Sequence, residues 1–107
     1  MKNYDRIHAR KPEGIKSRHA FIVGGGIAGL SAAAFLTEDG HIPGKNITVY
    51  DQLPVVGGCM DSSGNAVDGY ISRGERELEP YMECLWYLFA MVPSLEEEER
   101  TVLDETR

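Results

Sequence analysis

"HAFIVGGGIAGLSAAAFLTEDG", His19–Gly40, decides the fold. Its first five residues, 19–23, form a short apolar run that ends at glycine, which suits a buried parallel strand. Beyond the glycines, Ile27, Leu30, Ala34 and Phe35 fall on one helical face, in a segment rich in alanine, the best helix former. Gly40 stands where a C-terminal cap is expected. "HIPGK", 41–45, is punctuated by Pro43 and Gly44 and reads as a loop. "NITVYD", 46–51, alternates and is β-branched, so it reads as a second strand. Strand, glycine turn, helix and strand in that order predict a right-handed parallel βαβ unit.

Gly24, Gly26 and Gly29 make a GxGxxG pattern, which is weak alone but here has a strand before it and a helix and strand after it. Each glycine has its own physical task. Gly24 permits the tight turn out of the strand. Gly26 lets a pyrophosphate approach the backbone with no Cβ in the way. Gly29 lets the helix pack closely on the strand. The N–H groups at the helix start, from Ile27 and Ala28 onward, face the phosphates with the positive end of the helix dipole. Asp51 closes the second strand 22 residues beyond Gly29, where an acid accepts hydrogen bonds from both ribose hydroxyls. "QLPVVGG", 52–58, then brings the pair Gly57 and Gly58. An acid followed by a glycine pair resembles the FAD signature of the glutathione-reductase-like flavoproteins, so FAD is favoured over NAD. The fold class expected is α/β: a Rossmann-like βαβ FAD-binding unit of that flavoprotein class, incomplete, as an N-terminal fragment.

The chain has 107 residues and a net charge of −6, which argues against a broad electrostatic grip on nucleic acid. Its basic residues lean to the N-terminus: Lys2, Arg6, Arg10, Lys11, Lys16 and Arg18 precede the first apolar run. Residues 1–18 are read as an extended polar lead-in and 19–107 as part of the FAD-binding domain. The lead-in has no apolar core segment and no glycine at position 2, so it is neither a secretory signal nor a myristoylation site. The apolar stretches are far too short to span a membrane. Cys59 and Cys84 form no CxxC pair and are expected to be reduced, partly buried thiols. His8, His19 and His41 are scattered, with no metal-ligand spacing, and read as surface or loop residues. A cytoplasmic location is expected.

From residue 52 to about 79, glycine, serine, asparagine and aspartate recur, which is turn chemistry. "EPYMECLWYLFAMVP", 79–93, reads as a helix opened by Pro80 and stopped by Pro93, with Tyr81, Leu85, Leu88, Phe89 and Val92 on one face. Ser94 and Glu97 predict a capping box for a short acidic helix over 94–100, and "TVLDETR", 101–107, the start of another element. A two-stranded parallel unit leaves edges unpaired and one face uncovered, and "CLWYLFAMV", 84–92, has no evident partner. The expectation is therefore an N-terminal piece of a longer protein.

Taken together, "GGGIA", "DGHIPGKNITVYD", the glycine pair, "DSSGNAVDGY", the "RGERE" loop and "ECLWYLFAMVPSLE" resemble the oleate hydratases, long called myosin-cross-reactive antigens, over about residues 19–105. A generic flavoprotein would share the glycines and the acid but not the connection loop or the later segments. The resemblance implies an FAD-binding fatty acid hydratase. Such an enzyme adds water across the cis-9 double bond of oleate to give 10-hydroxystearate, with no net redox change and with the flavin mainly organising the site. It implies unsaturated fatty acid substrates such as oleate and linoleate, no nucleic acid, and peripheral membrane contact and a homodimer in the full-length protein. It also implies that the isolated chain is inactive, because substrate-binding parts and the tyrosine proton donor lie past position 107.

In that family the loop reads RGGREM, and its glutamate works on the attacking water. Arg73-Gly74-Glu75-Arg76-Glu77-Leu78 is the matching loop, so the resemblance gives Glu77 the catalytic role and places Arg73, Gly74 and Arg76 at the cofactor. A positioned carboxylate can orient a water and take its proton as the alkene is protonated elsewhere. Arg73 and Arg76 can meet a cofactor phosphate or fatty carboxylate, or pair with Glu75, Glu77 or Glu79. Glu75 departs from the family glycine, and would strain the loop if that position needs positive φ. Two other readings stay open: an FAD-dependent oxidoreductase of the amine oxidase or desaturase kind, and a non-functional gene fragment.

Overall fold

In the computed structural model, which describes residues 9–106, β1 (Ala20–Val23) and β2 (Ile47–Tyr50) pair in parallel with Phe21 opposite Thr48 and Val23 opposite Tyr50. Between them runs α1 (Ile27–Glu38), which packs on both strands. The strands alternate strictly. Ala20, Ile22, Ile47 and Val49 are half-buried, while Phe21, Val23, Thr48 and Tyr50 are exposed. The period of two puts α1 on one face only. The other face is open, with Val23 91% exposed and the Phe21 and Tyr50 rings stacked at 6.4 Å. Among the described residues, that face carries exposed side chains, in line with the uncovered face that a two-stranded unit leaves.

The end of α1 differs in detail from expectation. Gly40 does not take the left-handed position; His41 does, with φ 57°. Gly40 is needed for space, since a Cβ there would stand 2.7 Å from the Leu36 carbonyl oxygen. The chain before β1 is pinned to the α1–β2 connection. Buried Asn46 donates through Nδ2 to the carbonyls of Lys16 (2.9 Å) and Arg18 (3.0 Å), and His41 Nε2 bonds the Ala9 carbonyl at 2.7 Å. His8, Lys2 and Arg6 lie outside the described residues.

The stretch read only as turns contains a hairpin, β3 (Ser62–Asn65) with β4 (Gly69–Ser72), antiparallel. Its turn is closed by Asn65, whose Oδ1 accepts from Val67 N and Asp68 N, both at 2.9 Å. Both strands are exposed throughout, so no apolar alternation marks them in the sequence. This hairpin belongs with β1, α1 and β2 to one compact unit, Ala9–Arg76.

The second unit takes in Glu77–Arg107. Its α2 spans Glu83–Met91, starting later than Pro80 suggested because Met82 adopts φ −76°, ψ 63° outside the helix. Tyr81 thus falls off the helical face and is 74% exposed, while Tyr87 and Leu88 are buried. Their partner is buried Leu103 of α3 (Val102–Glu105), so the apolar helix has a neighbour after all. The expected helix over 94–100 does not form. Ser94 Oγ accepts from Glu96 N (3.0 Å) and Glu97 N (2.9 Å) as a cap would. However, Glu99 turns left-handed at φ 65°, and the chain doubles back so that Pro93 pairs with Thr101. The capping box belongs to α3, between Thr101 and Asp104. Cys59 and Cys84 are both free and exposed rather than partly buried, one on a short turn and one on the outer side of α2. No helix among the described residues is long and apolar enough to cross a membrane.

Gly29 fixes how close α1 lies to the end of β1: a Cβ there would stand 1.8 Å from the Gly24 carbonyl oxygen. Gly29→Ala is expected to destabilise the βαβ unit by about 2 kcal/mol or more, as overpacking against backbone does. Gly44→Ala, with nothing within 4 Å of the new methyl, should be close to neutral. Urea titrations followed by circular dichroism check the pair, and equal midpoints for the two variants would contradict the packing argument.

Candidate functional site

The three motif glycines carry three different constraints. Gly24 has φ 107° and donates its N–H to the Tyr50 carbonyl at 2.7 Å, tying the turn to the end of β2. Gly29 is fixed by helix packing. Gly26 has ordinary extended dihedrals, φ −80° and ψ −176°, and the nearest atom to a Cβ there would be Gly58 Cα at 3.7 Å. No protein atom demands glycine at 26. A Cβ there would make only ordinary contacts with the Gly57–Gly58 backbone, at the start of α1, where the first N–H groups, including those of Ile27 and Ala28, lack an acceptor within the helix. That is a cradle for an anionic group approaching the backbone.

Gly25 was not singled out from the sequence, although the run of three glycines was the available signal. It is buried and donates to Asp51 Oδ2 at 2.7 Å, and a Cβ on it would sit 2.9 Å from that same oxygen. The other oxygen of Asp51, Oδ1, accepts from Leu53 N at 2.7 Å. These two backbone N–H groups, Leu53 first and then Gly25, hold the Asp51 carboxyl below the usual carboxylate range against a small opposing effect of burial. Each oxygen keeps a lone pair for a further donor, such as a ribose hydroxyl.

The glycine pair docks on this turn. Gly57 donates to the Gly25 carbonyl at 2.8 Å and forms a parallel bridge with Gly26. Gly57 and Gly58 have φ 125° and 58°, and a Cβ on Gly58 would come 3.1 Å from Gly26 Cα. Glycine is therefore needed at both places by the backbone itself, beyond any approach to a cofactor.

Two arginines fasten the charged loop to the chain just after that pair. Arg73 forms an ion pair with Asp61, Nε to Oδ1 and Nη2 to Oδ2, the latter at 3.2 Å. The Arg73 guanidinium keeps the Asp61 carboxyl below the ordinary range. Arg76 donates to the carbonyls of Cys59 (2.7 Å) and Glu75 (2.9 Å) and to the Met60 sulfur at 3.1 Å. The arginines thus meet Asp61, the Cys59 carbonyl, the Met60 sulfur and the Glu75 carbonyl, and no glutamate carboxylate among the described contacts. Asp61, like Gly25, is a residue that sequence reasoning missed, because nothing in the spacing links it to Arg73. Positive φ in the loop falls on Gly74, at 137°, and Glu75 has none, so Glu75 fits without strain. Glu77 is exposed, outside regular structure, and begins the second unit.

Asp51 and Asp61 both have folded pKa values below their unfolded ones. An unfolded aspartate titrates near pH ~3.9, so the stability they contribute is fully present above that and is lost as pH falls through the lower folded values. Unit Ala9–Arg76 is expected to lose stability on acidification below about pH 4. Asp51→Asn should lower stability at neutral pH and flatten that acid slope. Urea midpoints measured across this range are the check, and a slope unchanged by both Asp51→Asn and Asp61→Asn would remove these carboxylates as its source.

Comparison with known proteins bears on the whole of this arrangement. The model of the MCRA family matches residues 17–107. The chain is 45% identical over 104 residues to an oleate hydratase of Streptococcus pyogenes serotype M49 (strain NZ131), an alignment covering 96% of this chain and 18% of that protein. It is 32% identical over 108 residues to a linoleate hydratase of Lactiplantibacillus plantarum, covering 87% of this chain and 19% of that protein. The chain thus spans less than a fifth of the length of these curated relatives. With the match running from the lead-in through the glycine turn, the stapled loop and the paired helices, the chain belongs to the MCRA family.

Proposed function

We propose that this chain is the FAD-binding segment of a fatty acid hydratase. The observation that carries the reading is Gly26: a glycine with ordinary dihedrals, where no protein atom would clash with a side chain, at a helix N-terminus, next to an acid that ends the second strand. Kinship with proteins named oleate and linoleate hydratase supplies the reaction class. In this reading the backbone N–H groups at Gly26, Ile27 and Ala28 bind the pyrophosphate of FAD, and Asp51 accepts from the adenosine ribose. The unit is then a Rossmann-like element of the glutathione-reductase-like class. When bound, the flavin supplies an electrostatic and structural framework for the site, with no net redox change in hydration.

The reaction needs a proton on one alkene carbon and a water oxygen on the other. Glu77 is assigned as the carboxylate that orients the water and takes its proton as the C–O bond forms. Arg73 and Arg76 set the path of the chain leading to Glu77 through their bonds to residues 59–61. The proton donor is assigned to another segment of the longer enzyme, so the isolated chain is not expected to hydrate oleate. The two free thiols fit a cytoplasmic enzyme.

The test is a chimera in which this chain replaces its counterpart in the Streptococcus pyogenes oleate hydratase. It should convert oleate to a hydroxy acid without consuming an oxidant. Glu77→Ala in the chimera should reduce turnover by about a hundredfold or more, the scale of a lost general base, while leaving flavin absorbance in the purified protein intact. An oxidised product with stoichiometric electron transfer would overturn the hydratase reading. Full activity in Glu77→Ala would overturn the assignment of Glu77.

A further inference from the structure

We propose that the cavity between the segment before β1 and the α1–β2 connection is a binding site for a polyvalent phosphate anion. It lies at the C-terminal end of α1, opposite the glycine turn at the helix start. Its volume is about 480 Å³, within the range of small-molecule sites. Lys11, Lys16 and Lys45 line it together with His41, Ile42 and Pro43, and among the described residues no carboxylate lines it. That is unexpected in a chain with 17 acidic and 11 basic residues.

The site is assembled from two segments distant in sequence, and both are held. The Ala9 carbonyl accepts from His41 Nε2 at 2.7 Å, and the Lys16 and Arg18 carbonyls accept from Asn46 Nδ2. Because a carbonyl can only accept, His41 carries its proton on Nε2 in this contact. Asn46 is the buried polar residue of the unit, and its role is to fix Lys16 against the connection that carries Lys45. The end of α1 contributes partial negative charge here, so positive charge at the pocket comes from its lining lysines rather than from the helix. Ammonium groups are compact, strongly hydrated point charges that suit phosphate oxygens, and a single negative charge among exposed lysines would be screened by salt. A ligand with two or more charges is the one that such a cluster selects.

The experiment is a titration of the full 107-residue chain, labelled with nitrogen-15, with inorganic pyrophosphate and separately with ADP. Pyrophosphate should shift the amides of residues 11–16 and 41–46, with dissociation in the millimolar range or tighter. Equal or tighter shifts there with ADP identify a nucleotide-borne diphosphate; shifts with pyrophosphate alone identify a free one. The triple variant Lys11→Gln/Lys16→Gln/Lys45→Gln should lose about tenfold or more in affinity, each exposed charge contributing about two- to fivefold. Asn46→Ala, which keeps every lysine, should also weaken binding. Shifts confined to residues 24–30 would overturn the proposal, since the anion would then sit only at the glycine turn. A triple variant that is less stable but binds equally well would also overturn it, leaving the lysines to serve the helix end. Undispersed amides over 11–16 in the free chain would do the same, because the pocket would not exist.

Discussion

Everything in the βαβ unit depends on one carboxylate. Asp51 sits at the end of β2 and accepts from Gly25 N on the glycine turn and from Leu53 N on the chain leaving the strand. The first bond joins the end of the second strand to the turn after the first. The second bends the chain so that Gly57 can return to the Gly25 carbonyl. Without that closure the glycine pair would not lie against Gly26, and the short turn that follows would have no fixed origin from which Arg73 and Arg76 could hold the charged loop. The unit is thus a series of dependent contacts, each made by a backbone group or a short side chain, with little apolar burial to support it.

The parts legible in the sequence were those with a steric or periodic signature. β1, α1 and β2 followed from alternation, alanine content and glycine spacing, and fell within a residue or two of expectation. The packing of Gly29 and the turn at Gly24 followed from what a Cβ would meet. The hairpin Ser62–Ser72 was not legible because neither strand buries a face, so the period of two that betrays most strands is absent. The helix expected over 94–100 failed for a related reason. Ser94 supplied a sound cap, but closure of Pro93 on Thr101 and the packing of Leu103 on α2 outweighed a local preference of small size.

At the candidate site, sequence reasoning located the residues and tertiary structure supplied their partners. The acid at 51 was visible, but not that both of its oxygens serve the backbone. Arg73 and Arg76 were visible, but their partners, Asp61 and the Cys59 carbonyl, lie 12 and 17 residues away with no periodic relation to them. The doubt attached to Glu75 is resolved by the neighbouring residue: Gly74 carries the positive φ, so position 75 is free to accept a side chain.

The open face of the parallel pair has a consequence for how the chain behaves among copies of itself. "AFIV" and "ITVY" are short, uncharged, β-rich segments with no further strand on their edges among the described residues, the kind of surface on which further strands add. Phe21, Val23 and Tyr50 make that surface apolar. Each segment is bounded by a polar or ionisable residue: His19 before β1, Asn46 before β2 and Asp51 after it. Asp51 therefore has a second role besides organising the turn. With its pKa lowered by the two backbone bonds, it is a gatekeeper that places a negative charge at the end of an apolar, β-rich strand.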